Sequence, residues 1–160
     1  MMRAIVLSDS HGEDTNLRWM LEQCWRMVGP VDAYIHCGDG ARDFQRLEHF
    51  IRARDERALL IGVKGNCDFF DDVPEIAQIT LGGVSILVTH GHRFQVKRTY
   101  AALDMEARQR GCQVALFGHT HQPWVEQRHA LLVNPGSAAD DHLALLEMEN
   151  GKVQAQLMDF

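Results

Sequence analysis

Residues 114–121, VALFGHTH, form an apolar run that ends in a glycine and two histidines. A short apolar run bounded by glycine is typical of a strand that is buried on both faces. In an extended segment His119 and His121 point the same way, and in a turn they diverge but stay close. The strand end therefore presents two imidazoles, which suit divalent transition metals. One such pair can arise by chance on a surface, so its meaning depends on how the other strands end.

Four more apolar runs, at residues 4–7, 33–37, 59–63 and 84–88, are each followed by side chains that can bind a metal. The candidate ligands are Asp9 and His11 after the first run, Asp39 after the second, Asn66 after the third and His90 after the fourth. In open α/β sheets, binding sites form outside the carboxyl ends of the strands. Five strand ends with ligands at equivalent positions therefore predict one shared metal site.

The donor set indicates which metals this site would hold. Four histidines, two aspartates and one asparagine exceed the four ligands of a structural zinc site, and they match two ions that share a carboxylate. Two divalent ions roughly 3.5–4 Å apart can clamp an in-line displacement at phosphorus. Nitrogen and oxygen donors without thiolate favour Mn, Fe, Zn, Co or Ni over Mg or Ca.

The order of elements predicts an α/β fold with two sheets, one mixed and one more antiparallel. The first half alternates strand and helix, which implies a parallel sheet with helical crossovers. Gly82-Gly83 and Asn150-Gly151 each lie between strand-like runs and predict hairpins. A third helix is expected from about residue 95 to residue 110. The length of 160 residues fits a single domain, 1–160.

Taken in order, the motifs D-x-H, G-D, G-N-x-D, H-G-H and G-H-T-H resemble those of the calcineurin-like metallophosphoesterases. The similarity points to their small bacterial and archaeal phosphodiesterase branch, and it runs from Asp9 to the Asn-Pro-Gly-Ser loop at 134–137. The resemblance implies an αββα four-layer sandwich of two mixed sheets flanked by helices. It also implies two divalent transition-metal ions, with Mn²⁺ favoured and Ni²⁺, Fe, Zn²⁺ or Co²⁺ as alternatives.

The family's ligand roles carry over residue by residue. The resemblance implies one metal on Asp9, His11 and His121, a second metal on Asn66, His90 and His119, and Asp39 as the bridging carboxylate. It further implies that a hydroxide between the ions attacks phosphorus in line, because coordination lowers the pKa of water toward ~7.

Two departures from the family pattern concern catalysis. Many members carry a histidine after the asparagine of G-N-x-D as a candidate general acid, whereas this chain has Cys67. The Asn-Pro-Gly-Ser loop lacks the Pro-Arg pair that often follows it. Asn66, His92 and Cys67 are the candidate catalytic residues, and Asp68 is expected either to orient a ligand or to cap a turn. Arg42 and Arg93 are candidate phosphate contacts.

The predicted function is a metal-dependent phosphoesterase, and more specifically a phosphodiesterase that acts on a small phosphate-ester substrate. One alternative is a phosphomonoesterase of the protein Ser/Thr phosphatase type, although the chain has little material for a protein-substrate groove. The other is a catalytically retired scaffold, since the resemblance extends to a retromer subunit of this fold. That subunit lacks some catalytic ligands, whereas every ligand position is filled here.

Composition limits the classes of binding partner and the cellular location that we expect for the protein. The net charge of −6 argues against a nucleic-acid or anionic-membrane footprint, and no apolar run is long enough for a transmembrane helix. Cys24, Cys37, Cys67 and Cys112 include no C-x-x-C pair and are interpreted as reduced thiols in a cytoplasmic protein. The oligomeric state is left open, with a homo-oligomer among the possibilities.

Overall fold

Two five-stranded sheets form the framework of the protein. The computed structural model describes residues 1–69 and 72–160. The strands are β1 Met2–Leu7, β2 Ala33–His36, β3 Leu59–Gly62, β4 Ile76–Leu81, β5 Val84–Thr89, β6 Val114–Leu116, β7 Trp124–Gln127, β8 Leu131–Asn134, β9 His142–Glu149 and β10 Lys152–Asp159. The helices are α1 Asp14–Trp25, α2 Ala41–Arg46, α3 Glu48–Arg52 and α4 Ala101–Gln109, with 3₁₀ turns at His92–Phe94 and Ala138–Asp140.

Both sheets are mixed. The first has the order β10-β9-β1-β2-β3, and β1, β2 and β3 run parallel. The second has the order β4-β5-β6-β8-β7, and β5, β6 and β8 run parallel. The prediction that one sheet is more antiparallel is wrong, because β8 crosses over to pair in parallel with β6 and leaves only the edge strands antiparallel. Both expected hairpins, β4–β5 and β9–β10, are present.

The alternation of side chains along the buried strands produces four layers. On β1, Ala4 and Val6 pack against the second sheet, whereas Ile5 and Leu7 pack against helices α1 to α3. On the outer face of the second sheet, Leu87 packs with helix α4. Because successive residues of a strand point to opposite faces, a continuous apolar run is needed at such a position. The predicted αββα sandwich is confirmed.

The helical predictions need two corrections. The helix expected at 95–110 begins only at Ala101, because Gln95 has a φ of 53° and cannot continue a right-handed helix. Thr99 Oγ1 accepts the Ala101 N–H at 3.3 Å, which provides a local start for α4. The single helix expected between the second and third strands, from the alternation of strand and helix, is divided at Leu47 into α2 and α3. Among the described residues, no helix is long and apolar enough to cross a membrane.

Backbone hydrogen bonds bring the strand ends of the two sheets together. Asp9 N–H donates to Gly38 O at 2.9 Å and joins the ends of β1 and β2. Gly118 N–H donates to His90 O at 3.0 Å and joins the ends of β5 and β6. His119 N–H donates to Asp9 Oδ2 at 3.0 Å and connects the first sheet to the second. The loops that carry the predicted ligands therefore lie at one edge of the sandwich.

Candidate metal centre

One group of donors lies between the β1 and β6 loops. His121 Nε2 is 3.2 Å from Asp9 Oδ1, and His11 Nε2 is 3.6 Å from the same oxygen. The two imidazole Nε2 atoms are 3.2 Å apart. The three donor atoms can all reach one ion, as was predicted for one of the two metals.

A second group lies directly beside the first. His90 Nε2 is 3.2 Å from Asp39 Oδ2, and His119 completes a group of three donors within 4.8 Å of one another. Asp39 Oδ2 also lies 4.0 Å from His11 Nε2, and Asp9 Oδ1 lies 3.9 Å from His90 Nε2. The carboxylates thus stand between the two groups, in the arrangement expected of ions that share ligands.

Two buried polar atoms are evidence for a cation-binding site between these residues. Among the described residues, Asp9 Oδ1 and His90 Nε2 are buried and have no hydrogen-bond partner. A buried polar atom left unpaired costs about 1–3 kcal/mol, so each needs an explanation. Both atoms point at the donor groups, and both are electron-pair donors when the imidazole is neutral. The residues present therefore fit divalent metal ions.

Burial and neighbouring charges shift the pKa values of the ionisable side chains at the centre. Burial acts to raise the pKa of the Asp39 carboxyl, but His90 and the Cys67 N–H hold that pKa well below its ordinary value. Burial acts to lower the pKa of His90, yet the Asp39 and Asp9 carboxylates raise it. Burial and the charge of His90 lower the pKa of His119 to about 4. His119 is therefore neutral at pH 7 and able to bind a metal. At His90, whose pKa is raised, a proton competes with the metal for the imidazole.

The ligand loops carry backbone strain. Five predicted ligands have left-handed φ values: Asp9 54°, His11 47°, Asp39 56°, His119 71° and His121 62°. Such conformations cost roughly 1–3 kcal/mol each and persist only where the surroundings fix them. The concentration of strain at one end of the sandwich marks this end as the functional site.

The side chain of Asp9 is oriented by two hydrogen bonds to one of its oxygens. Ser8 Oγ and His119 N–H donate to Asp9 Oδ2 at 2.6 and 3.0 Å, which leaves Oδ1 directed at the donor groups. A Cβ at Gly118 would lie 2.0 Å from Ser8 Oγ, so only glycine fits there. Ser137 Oγ, from the Asn-Pro-Gly-Ser loop, donates to Asp9 O at 2.7 Å. Ser8 is not among the candidate residues predicted from the sequence, although its position directly before Asp9 was a usable signal.

Asp68 caps a turn and at the same time shapes the Asp39 loop. Its carboxylate accepts the N–H groups of Asp39, Gly40, Ala41 and Gly65 at 2.7–3.3 Å. These donors belong to the loops after β2 and β3 and to the start of α2. Both expectations for Asp68 are therefore met by one set of contacts.

The three candidate catalytic residues lie in the loops that follow β3 and β5. Asn66 and Cys67 are exposed, and the Asn66 amide nitrogen lies 3.6 Å from Cys67 Sγ. Cys67 forms a further donor group with His11 and Asp39, and burial and the Asp39 charge raise the pKa of its thiol. The His92 ring centroid is 5.5 Å from that of His90, and burial and His90 lower the His92 pKa.

A cleft of about 360 Å³ opens beside the centre. It is lined by His11, Gly12, Asp39, Gly40, Arg42, Asp43, Cys67, Asp68 and Phe69. Of the two arginines considered for phosphate binding, Arg42 lies in this lining, whereas Arg93 is ion-paired with Glu75.

Comparison with known proteins identifies the family of the chain. A model of the calcineurin-like phosphoesterase superfamily domain matches residues 2–151. The probable metallophosphoesterase YsnB of Bacillus subtilis is 34% identical over an alignment of 165 residues, covering 99% of this chain and 91% of the relative. Phosphodiesterase MJ0936 of Methanocaldococcus jannaschii is 25% identical over 146 residues, covering 84% of this chain and 83% of the relative.

Solved structures give the same result. A conserved protein of Streptococcus pneumoniae, described as a predicted phosphoesterase, matches with a TM-score of 0.76 and 29% identity, covering 99% of this chain and 89% of that chain. Vps29 of Entamoeba histolytica in complex with Zn²⁺ matches with a TM-score of 0.71 over 99% of both chains; at 21% identity it shows the fold alone. From the family model and the similarity to YsnB, the chain belongs to the calcineurin-like phosphoesterase superfamily.

Proposed function

We propose that the protein is a phosphodiesterase that hydrolyses a small phosphate diester with two divalent transition-metal ions bound at this centre. The observation that carries the proposal is the pair of buried, unpartnered atoms, Asp9 Oδ1 and His90 Nε2, within two adjoining donor groups. The proposed ligands are Asp9, His11 and His121 for one ion, Asn66, His90 and His119 for the other, and Asp39 for both. Mn²⁺ is the proposed ion, with Ni²⁺, Fe, Zn²⁺ and Co²⁺ as alternatives.

When bound, two such ions supply positive charge for the phosphate oxygens and lower the pKa of water, as an in-line displacement at phosphorus requires. The chain's own residues set the geometry for that chemistry. The Asp39 carboxylate lies between the two donor groups, where it can serve as a ligand of both ions. Asp68 holds the Asp39 loop in place by accepting the Asp39 N–H. The hydrogen bond from the Asn66 amide nitrogen toward Cys67 Sγ leaves the amide oxygen to serve as a ligand.

The proposed roles of His92 and Cys67 follow from their ionisation. Burial and His90 lower the His92 pKa, so a neutral imidazole positions the substrate rather than donating a proton as the imidazolium. The raised pKa of the Cys67 thiol keeps it protonated at neutral pH, but a thiol is a weak hydrogen-bond donor. Departure of the leaving group then depends mainly on the leaving group's own basicity.

A diester is favoured over a monoester by the charge of the cleft. Its lining contains the carboxylates of Asp39, Asp43 and Asp68 and one arginine, Arg42. Such a lining suits the single negative charge of a diester better than the two charges of a monoester. The volume of about 360 Å³ suits a small molecule rather than a protein segment. The name of the relative MJ0936, a phosphodiesterase, agrees with this choice.

The four cysteines are unpaired, which supports the further proposal of a reducing, cytoplasmic location. We also propose that residues 1–160 form a single domain. The core clusters include residues from both ends of the chain, such as Ala4 and Met148.

The test is hydrolysis by the purified chain of aryl and alkyl phosphodiesters, the matching monoesters and a phosphoserine peptide. Each substrate is assayed with Mn²⁺, Ni²⁺, Mg²⁺ or chelator, and Asp39→Asn is the inactive control. We expect metal-dependent turnover of the diesters. Preferred hydrolysis of the phosphopeptide would favour the Ser/Thr phosphatase alternative. Two bound ions without hydrolysis of any substrate would favour the scaffold.

A further inference from the structure

A buried chain of hydrogen bonds lies behind the donor groups. Ser10 Oγ donates to Asp43 Oδ2 at 2.7 Å and lies 3.0 Å from His36 Nε2. The same Asp43 oxygen accepts the Gly12 N–H at 2.8 Å, and His36 Nδ1 accepts the Gly38 N–H at 3.1 Å. All three side chains, called the Ser10 brace below, are buried.

The directions of these hydrogen bonds are consistent with one another. Because His36 Nδ1 accepts from Gly38, the neutral ring carries its proton on Nε2 and donates it to Ser10 Oγ. Ser10 Oγ in turn donates its hydrogen bond to the Asp43 carboxylate, so every donor in this series of hydrogen bonds has an acceptor. Burial keeps His36 in the required neutral form, since it lowers the pKa of His36 to about 4.

The brace joins the two loops that hold three strained ligands. Ser10 lies between Asp9 and His11 in the chain, and the His36–Gly38 contact directly precedes Asp39. All three ligands have left-handed φ values, which must be fixed by their surroundings. A Cβ on Gly40 would lie 1.9 Å from Ser10 Oγ, so the loop after Asp39 is fitted closely around the brace.

We propose that Ser10, His36 and Asp43 are positioning residues that set the spacing of the Asp9, His11 and Asp39 ligands and so allow two ions to bind side by side. The inference rests on the metal pair of the proposed function. Groups that orient metal ligands typically change affinity by 10- to 100-fold when they are replaced. Removing the Ser10 hydroxyl leaves the His36 Nε2–H without its acceptor and Asp43 Oδ2 without one of its two donors, which frees the two loops to relax.

The chain contains a matched control for this experiment. Tyr34 OH donates to Asp55 Oδ2 at 2.5 Å and accepts from Trp25 Nε1 at 2.9 Å. This is the same pattern as at Ser10, a hydroxyl between a carboxylate and a ring N–H, but it lies beneath helices α1 and α3. Tyr34→Phe therefore removes an equivalent buried hydroxyl without touching a ligand loop.

The experiment compares wild type, Ser10→Ala, Asp43→Asn and Tyr34→Phe. Mn²⁺ binding is measured by calorimetry, and the spacing of the ions by the exchange-coupled Mn²⁺ signal in electron paramagnetic resonance. We expect a loss of tenfold or more in affinity for at least one ion, and loss of the coupled signal, in Ser10→Ala and Asp43→Asn. Tyr34→Phe should keep both properties, whatever its effect on melting temperature.

Each outcome bears on one proposal. Wild-type affinity and an unchanged coupled signal in both brace variants would overturn the positioning role. An equal loss in Tyr34→Phe would overturn it too, because general destabilisation would then explain the effect. Failure of wild type to bind two Mn²⁺ ions would instead contradict the metal pair of the proposed function. Asp43→Asn keeps the volume of the side chain and serves as the test if Ser10→Ala does not fold.

Discussion

His36 should make the folding stability of the protein sensitive to acid. The side chain is fully buried, and burial lowers its pKa from 6.5 to about 4. The charges that face it include Asp9, Asp68 and Asp43, which raise the pKa, and His90, which lowers it. Burial also lowers the pKa and outweighs the three carboxylates. Between pH 6.5 and pH 4, His36 is therefore protonated in the unfolded chain and neutral in the folded chain.

The sign follows from proton linkage. Stability rises with pH wherever the unfolded state binds more protons, so this contribution is present above pH 6.5 and is lost as the pH drops toward 4. With pKa values of 6.5 and about 4, the loss between pH 7 and pH 4.5 is about 2.4 kcal/mol. For a marginally stable domain that is a large share of the total.

The assay is urea unfolding of chelator-treated wild type and His36→Gln at several pH values. Glutamine does not titrate, so the difference between the two stabilities isolates the contribution of His36. We expect wild type to lose about 2–3 kcal/mol more than His36→Gln between pH 7 and pH 4.5. Parallel pH curves for the two proteins, or an NMR titration of His36 near pH 6.5 in the folded state, would refute the reasoning.

Four further predictions concern the metal centre. Asp39→Ala should lose both ions together with activity, because the carboxylate lies between the two donor groups; two ions found by metal analysis of the variant would contradict a shared ligand. Exhaustive chelation should abolish turnover, and Mn²⁺ or Ni²⁺ should restore it. Bound Mn²⁺ should raise the melting temperature, and this rise should become smaller as the pH falls, because the raised pKa of His90 makes protonation compete with metal binding. Cys67→Ser should change kcat/KM little, whereas Cys67→His should raise it by up to ~10²-fold for poor leaving groups; a large loss in Cys67→Ser with poor leaving groups would show that the thiol is the acid.

Features that depend on residues adjacent in the chain could be predicted from the amino-acid sequence. Apolar runs such as 4–7 and 84–88 form buried strands, because a strand with helices or a second sheet on each face must be apolar at nearly every position. Asn150-Gly151 turned a hairpin as expected, since both residues adopt the positive φ values that such turns require. The predicted ligands were also available from local pattern, because each follows the end of a strand.

The contacts that hold those ligands in place could not be predicted from the sequence and are known from the packed structure. Nothing near Asp43 in the chain indicates that its carboxylate accepts from Ser10 and Gly12, some thirty residues away. Likewise, the start of α4 depended on the left-handed turn at Gln95, which the helical spacing of its apolar residues did not reveal. Local pattern fixes which residues sit on a strand or at its end, because neighbours in the chain share one backbone conformation. Orientation, strain and the pairing of buried polar groups depend on residues distant in the chain, which meet only when the two sheets pack.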